Sequence, residues 1–292
     1  MKSFIKTFLL LILPLNLYSQ EMMQTPDVSD IFSNKIINTE YEPVTLSFDF
    51  SKKETLSYDY SDFNESSSET SLSLGTTKQK SNTTSKLVLN ILGNGYAEVV
   101  YKDAIIDSQV YFDISKDAKP INTKFGPKTT VYQYLSEDGK FMNSPDMEFK
   151  IKLLMPSSGL KIEKNKIAEE DITIPFNFYG SFLQIKGKLS IKGLGIYQIE
   201  DKQYLKIESK FELNSDNIPA DLKDQLELLI VANGIYYYDI KEKSYYAGDI
   251  TTTTSISSKT NGLNLLNREI SQKQKVTEHI QYKKIATEAV EK

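Results

Sequence analysis

The chain alternates between apolar and polar residues. Leu46, Phe48 and Phe50 are spaced by Ser47, Asp49 and Ser51, and Leu56, Tyr58 and Tyr60 by Ser57, Asp59 and Ser61. A period of two sends successive side chains to opposite faces of an extended backbone, so this pattern predicts half-buried strands. Stretches 86–92 and 96–102 flank Gly93-Asn94-Gly95, residues that accept the positive φ of a tight hairpin turn. Further strands are predicted at 107–114, 129–135, 147–154, 182–191, 196–199, 204–213, 235–240, 244–257 and 268–282. The 18 tyrosines and 14 phenylalanines suit such strands, because aromatic side chains favour a pleated, half-buried surface.

One segment has a different rhythm. Leu222, Leu226, Leu229 and Ile230 recur at i, i+4, i+7 and i+8, which places them on one face of a helix over residues 221–232. Pro219 suits the start of that helix and Asn233-Gly234 its end. The expected fold is mainly β: a curved antiparallel sheet or half-barrel built from two related halves, with one amphipathic helix packed on the sheet.

The two halves are suggested by internal similarity. Val44-Thr-Leu-Ser-Phe-Asp-Phe50 lines up with Ile172-Thr-Ile-Pro-Phe-Asn-Phe178, and Tyr111-Phe-Asp-Ile114 with Tyr237-Tyr-Asp-Ile240 at almost the same separation. This divides the chain into a linker at 20–42, a first β half at 43–160, a second at 161–285 that includes the helix, and a tail at 286–292. Two segments, 61–85 and 251–260, are rich in Ser and Thr. They offer little apolar area to offset ordering entropy and read either as flexible loops or as long polar hairpin arms.

The amino end changes the picture. Lys2 and Lys6 precede an apolar run from Phe8 to Leu17, then small Ser19 and polar Gln20 and Glu21. That order is the one expected of a cleaved export signal at 1–19. Its apolar run is shorter than the roughly 20 residues a membrane helix needs, and no later segment qualifies. With no cysteine in the chain, a cysteine-linked lipid anchor and disulfides are both excluded. The expected location is therefore periplasmic or secreted. The net charge of −4 becomes more acidic once Lys2 and Lys6 are removed, and no basic block exists. Nucleic acid, which asks for clustered positive charge, is excluded as a partner. The ending Glu288-Ala-Val-Glu-Lys292 lacks an aromatic terminus, which argues against an outer-membrane barrel.

Candidate chemistry is sparse. His279 is the one histidine, which rules out Cys/His zinc sites and places any Ser-His-Asp arrangement on a polar strand. Gly193-Leu-Gly195 reads as a strand kink rather than a phosphate loop. Glu169-Glu170-Asp171 are adjacent and so point to alternate faces, while Asp138-Gly139 reads as a turn. A carboxylate pair could still assemble from distant strands. The clusters Tyr236-Tyr237-Tyr238, Tyr245-Tyr246 and Tyr111-Phe112 read either as core packing or as the lining of a ligand groove. No catalytic, cofactor-binding or metal-binding residue is assigned, and no cofactor is expected.

The turn Pro156-Ser-Ser-Gly159 leading into 172–178, followed by 188–208, resembles domain-of-unknown-function secreted β-proteins of Gram-negative bacteria. Glu169-Glu170-Asp171 stands where those proteins often place a Gly-Asp-Ser-Trp-like segment. The architecture is also similar to the periplasmic lipoprotein carriers, and that resemblance implies a curved half-barrel with an apolar cavity for acyl chains. The expected function is a non-catalytic envelope protein that binds a lipophilic ligand or another envelope component. The alternatives are a structural or interaction protein of the envelope and a hydrolase built on paired carboxylates.

Overall fold

The computed structural model describes residues 37–71, 75–112, 119–142, 144–156, 159–178, 181–199, 201–261 and 269–285. The expected export signal, the first part of the linker and the tail lie outside them. Ten strands form one antiparallel sheet that does not close. A first meander comprises β2 (Lys53–Thr70), β3 (Thr76–Leu92), β4 (Tyr96–Phe112) and β5 (Ile121–Ser136). A second comprises β7 (Ile167–Phe178), β8 (Ser181–Ile199), β9 (Lys202–Leu213), β10 (Leu226–Asp239), β11 (Ser244–Asn261) and β12 (Glu269–Lys284). The two join where β12 pairs with β2, so β5 and β7 are the edges of a single sheet. The short strands β1 (Val44–Thr45) and β6 (Lys161–Ile162) pair with each other beside it. The sheet is mainly β and curved with one helix on it, as the alternation implied. The Ser/Thr-rich stretches are arms of paired hairpins: Ser61 to Glu69 run in register against Thr84 to Thr76.

The helix is not where its period placed it. Around residues 221–232 the chain makes a single 3-10 turn at Ala220–Leu222, continues in a turn over 223–225, and from Leu226 onward is strand β10. Leu226, Leu228, Ile230 and Ala232 are buried while Glu227 and Leu229 face out, a period of two that β9 and β11 reward with hydrogen bonds on both sides. Gly234, read as a helix end, lies mid-strand with the Tyr236 ring folded over its bare backbone, where a Cβ would collide. The helix is instead α1 (Pro145–Leu154), in the stretch expected to be strand 147–154. Pro145 occupies its first turn, where a missing N–H costs nothing. Met147, Ile151 and Leu154 repeat at i, i+4 and i+7 and are buried.

The first pair of segments behind the proposed duplication is not equivalent in the fold. Residues 172–178 belong to edge strand β7. Of residues 44–50 only Val44–Thr45 is strand; Leu46, Phe48 and Phe50 continue as an extended plug. The plug is held by Leu46 N–H donating to Leu160 O and Phe48 N–H to Glu137 O. Alternating strands draw on few residue types, so two can look alike without common placement.

The core lies between one face of the sheet and a cover made of α1 and the 44–50 plug. Burying each Leu, Ile or Phe there contributes roughly 1.5–3 kcal/mol. Tyrosines fasten the cover. The hydroxyls of Tyr236 and Tyr282 donate to the carbonyls of Leu153 and Leu154, groups that a helix end leaves without intrahelical partners, and that of Tyr245 to the carbonyl of Pro156 just beyond the helix. Tyr238 donates to Ser47 O in the plug at 2.7 Å. Lys152 is buried and pairs with Glu170 of β7 at 2.6 Å.

Candidate ligand-binding face

Strand length and cover length do not match. At about 3.4 Å per residue, a strand of 16 to 18 residues such as β2, β5 or β11 spans on the order of 55–60 Å. The 10-residue α1 spans about 15 Å. The cover therefore buries one end of the helix-bearing face and leaves the rest of the first meander open. There the face turns polar: Asn64, Ser66 and Ser68 on β2 stand opposite Ser81, Gln79 and Thr77 on β3. Gln79 Nε2 donates to Ser108 Oγ of β4 at 3.1 Å.

The β4–β5 ribbon departs from that rule. Register places Ile106 opposite Phe125 and Val110 opposite Ile121, with Phe112 beyond and the polar pair Ser108 and Thr123 between them, all on the helix-bearing face. Ile106, Phe112, Ile121 and Phe125 are 36, 37, 38 and 41% exposed. One row of direct cross-strand partners runs Ile280, Asp62, Thr83, Ile106, Phe125, from the covered core to this apolar strip.

A charged corner marks where cover gives way to open face. Lys150 of α1 reaches down to Asp62 of β2 at 3.6 Å and to Glu278 of β12 at 3.8 Å. Its ammonium also lies 6.0 and 5.9 Å from the ring centroids of Tyr60 and Tyr101, within cation–π range. Tyr60 and Tyr101 meet edge to face at 5.3 Å, and the Tyr60 hydroxyl donates to Asp62 Oδ2 at 3.2 Å. Burial, then the Asp62 charge, pushes the Glu278 carboxyl up to about 7, and Lys150 only partly offsets this. Burial disfavours the charge on Lys150, yet Tyr101, Glu278 and Asp62 together hold it above the usual lysine value. Burial likewise pushes the Tyr101 hydroxyl up to about 12. Three buried polar atoms in this corner make no hydrogen bond to the described residues: Asp62 Oδ1, Ser85 Oγ and Tyr101 Oη.

No family model and no curated relative matches the chain. Among solved structures it is similar to one described as lipid-protein interactions in lipovitellin, with a TM-score of 0.39 and 9% sequence identity. The match covers 82% of this chain and 27% of that one. This chain thus spans about a quarter of the length of that structure.

The residues weighed from the sequence are dispersed. His279 lies on the opposite face, its Nε2 2.7 Å from Asp249 Oδ1. Glu169 points outward to Lys188 at 3.1 Å while Glu170 turns inward to Lys152, the alternation expected of neighbours in a strand. Asp138 takes a hydrogen bond from Ser136 Oγ in a turn. Tyr236, Tyr238 and Tyr245 pack beneath the cover. Tyr237 faces the other way with Tyr197, Tyr204 and Ala247, and Tyr246 packs against them. Among the described residues, no three His, Asp or Glu converge as metal ligands, and no helix is long and apolar enough to cross a membrane.

Asp62, Glu278 and Lys150 were not singled out from the sequence, although two of them left a trace there. Asp62 continues the apolar phase Leu56, Tyr58, Tyr60, and Glu278 continues the phase of Ile280 and Tyr282. A carboxylate in the inward phase of a strand is the signal for a buried acid. An open hollow of about 700 Å³ lies elsewhere. Its lining includes two opposite-face rows, Glu227, Ser257, Lys273, Glu69 and Leu229, Ser255, Lys275, Ser67. That charged and hydroxylated lining suits water better than an apolar ligand.

Proposed function

We propose that this chain is an exported, non-catalytic protein of the cell envelope that holds a lipophilic ligand against the open part of its helix-bearing face. One observation carries the reading. Where the neighbouring uncovered strands present Ser, Thr, Asn and Gln, the β4–β5 ribbon presents Ile106, Val110, Phe112, Ile121 and Phe125 in register. Exposed apolar side chains gathered on one ribbon and rimmed by polar residues are what a ligand or partner surface looks like. The carboxylate pair lends little support to a glycosidase. Lys150 already faces both acids, which leaves neither free to act on a glycosidic bond. The order of residues at 1–19 supports export.

Native mass spectrometry of the protein purified from its own envelope fraction, with solvent extraction of retained molecules, tests the reading. A retained lipid is expected, together with an amino terminus beginning just after Ser19. Its loss in Phe125→Ser would place it on the ribbon. A mass equal to the polypeptide alone, in preparations that never saw detergent, would count against lipid binding.

A further inference from the structure

The charged corner and the apolar strip share one row of the sheet, and the polar atoms left over in the corner describe a ligand. Asp62 Oδ1 is an acceptor without a donor among the described residues. Ser85 Oγ, set opposite Tyr60, and Tyr101 Oη can each donate or accept, and neither does. Leaving such atoms buried and unpaired costs about 1–3 kcal/mol each, so the corner favours a molecule that satisfies them. Lys150 already faces two carboxyl groups. An added phosphate or carboxylate would meet Asp62 and Glu278, and an added cation would meet Lys150. A hydroxyl, which is uncharged and both donates and accepts, matches the chemistry of each of these three groups.

We propose that this corner receives the uncharged, hydroxyl-bearing head of an amphiphile whose chain lies across Ile106 and Phe125. The inference rests on the lipophilic-ligand reading above and adds the chemistry of the head. The spacing is consistent with it. Strands lie about 4.8 Å apart, so Ile106 is roughly 10 Å and Phe125 roughly 14 Å from Asp62 along their common row. Thr83, between Asp62 and Ile106, is the single polar step from head to tail.

The test is calorimetric titration of the full chain with three probes of equal chain length: 1-monolauroylglycerol, methyl laurate and laurate. The monoglyceride is expected to bind about tenfold or more tightly than either of the others, the difference a hydrogen bond to a charged group makes. Asp62→Asn and Tyr101→Phe should each weaken the monoglyceride about tenfold and leave methyl laurate unchanged. Phe125→Ser should weaken both. Tyr101→Phe conserves shape and carries the test if Asp62→Asn does not fold by circular dichroism. Equal affinity for all three probes, tighter binding of laurate, or indifference of the monoglyceride to Tyr101→Phe would overturn the head site while leaving a lipophilic ligand in place. Absence of binding by every probe would overturn both readings.

Discussion

Glu278 sits on the helix-bearing face beside a second carboxylate, with Lys150 facing both. Its carboxyl, pushed up to about 7 by burial and then by Asp62, holds its proton more tightly in the folded chain than the usual value of 4.5 would allow. The sign follows from linkage. Between about pH 4.5 and 7 the unfolded chain releases this proton and the folded chain keeps it, so this residue's contribution to stability falls as pH rises through that window and stays low above it. Glutamine cannot ionise and keeps the shape of the protonated acid. Glu278→Gln is therefore expected to match the parent near pH 4 and exceed it at pH 8 by on the order of 2–3 kcal/mol. Urea unfolding at both values checks this; a variant less stable at pH 8 would show that the ion pair to Lys150 outweighs the cost of burial.

The β4–β5 ribbon raises the question of whether its apolar residues serve the fold or something outside it. A side chain that holds the fold together loses about 2–5 kcal/mol on truncation, as Leu89 or Ile207 would under the cover. Ile106 and Phe125 are exposed, and surface changes away from special features stay within about 0.5 kcal/mol. Ile106→Thr and Phe125→Ser should leave the urea midpoint nearly unmoved, whereas Leu89→Ala should lower it clearly. A large loss in either ribbon variant would make the strip a structural element and remove its claim as a binding surface. Strand content was legible in the sequence at this scale, because alternating runs such as 46–51 and 56–61 read most simply as extended chain. The helix was not. Met147, Phe149, Ile151 and Leu153 alternate as well as any strand, while Leu222, Leu226, Leu229 and Ile230 keep helical spacing. Short apolar runs admit both periods, and tertiary partners choose between them. Ser144-Pro145 was the local clue for a helix start. The candidate site was legible only as acids in the inward phase, because the partners that make Asp62 and Glu278 a cluster come from β2, α1 and β12.

At the scale of the molecule, an open sheet leaves two edges, and any free edge can recruit another strand. Which strands form those edges is a consequence of β12 closing onto β2, a pairing of distant segments that no local pattern specifies. The sequence nonetheless carries a mark of the outcome. Within the ten strands of the sheet, proline occurs at Pro127 in β5 and Pro175 in β7, the two edge strands. Proline has no N–H to offer an incoming strand and is tolerated only where the ladder does not need one. The charged residues Glu169, Glu170 and Asp171 precede Pro175 on the same edge. Pro175→Thr should restore a donor and a good strand former to β7, so the variant is expected to associate more than the parent as concentration rises. Light scattering coupled to size-exclusion chromatography, run on both proteins across the same concentrations, measures this. Superimposable profiles would mean that charge alone guards the β7 edge, and Glu169→Thr in the Pro175→Thr background would then be the change that exposes it.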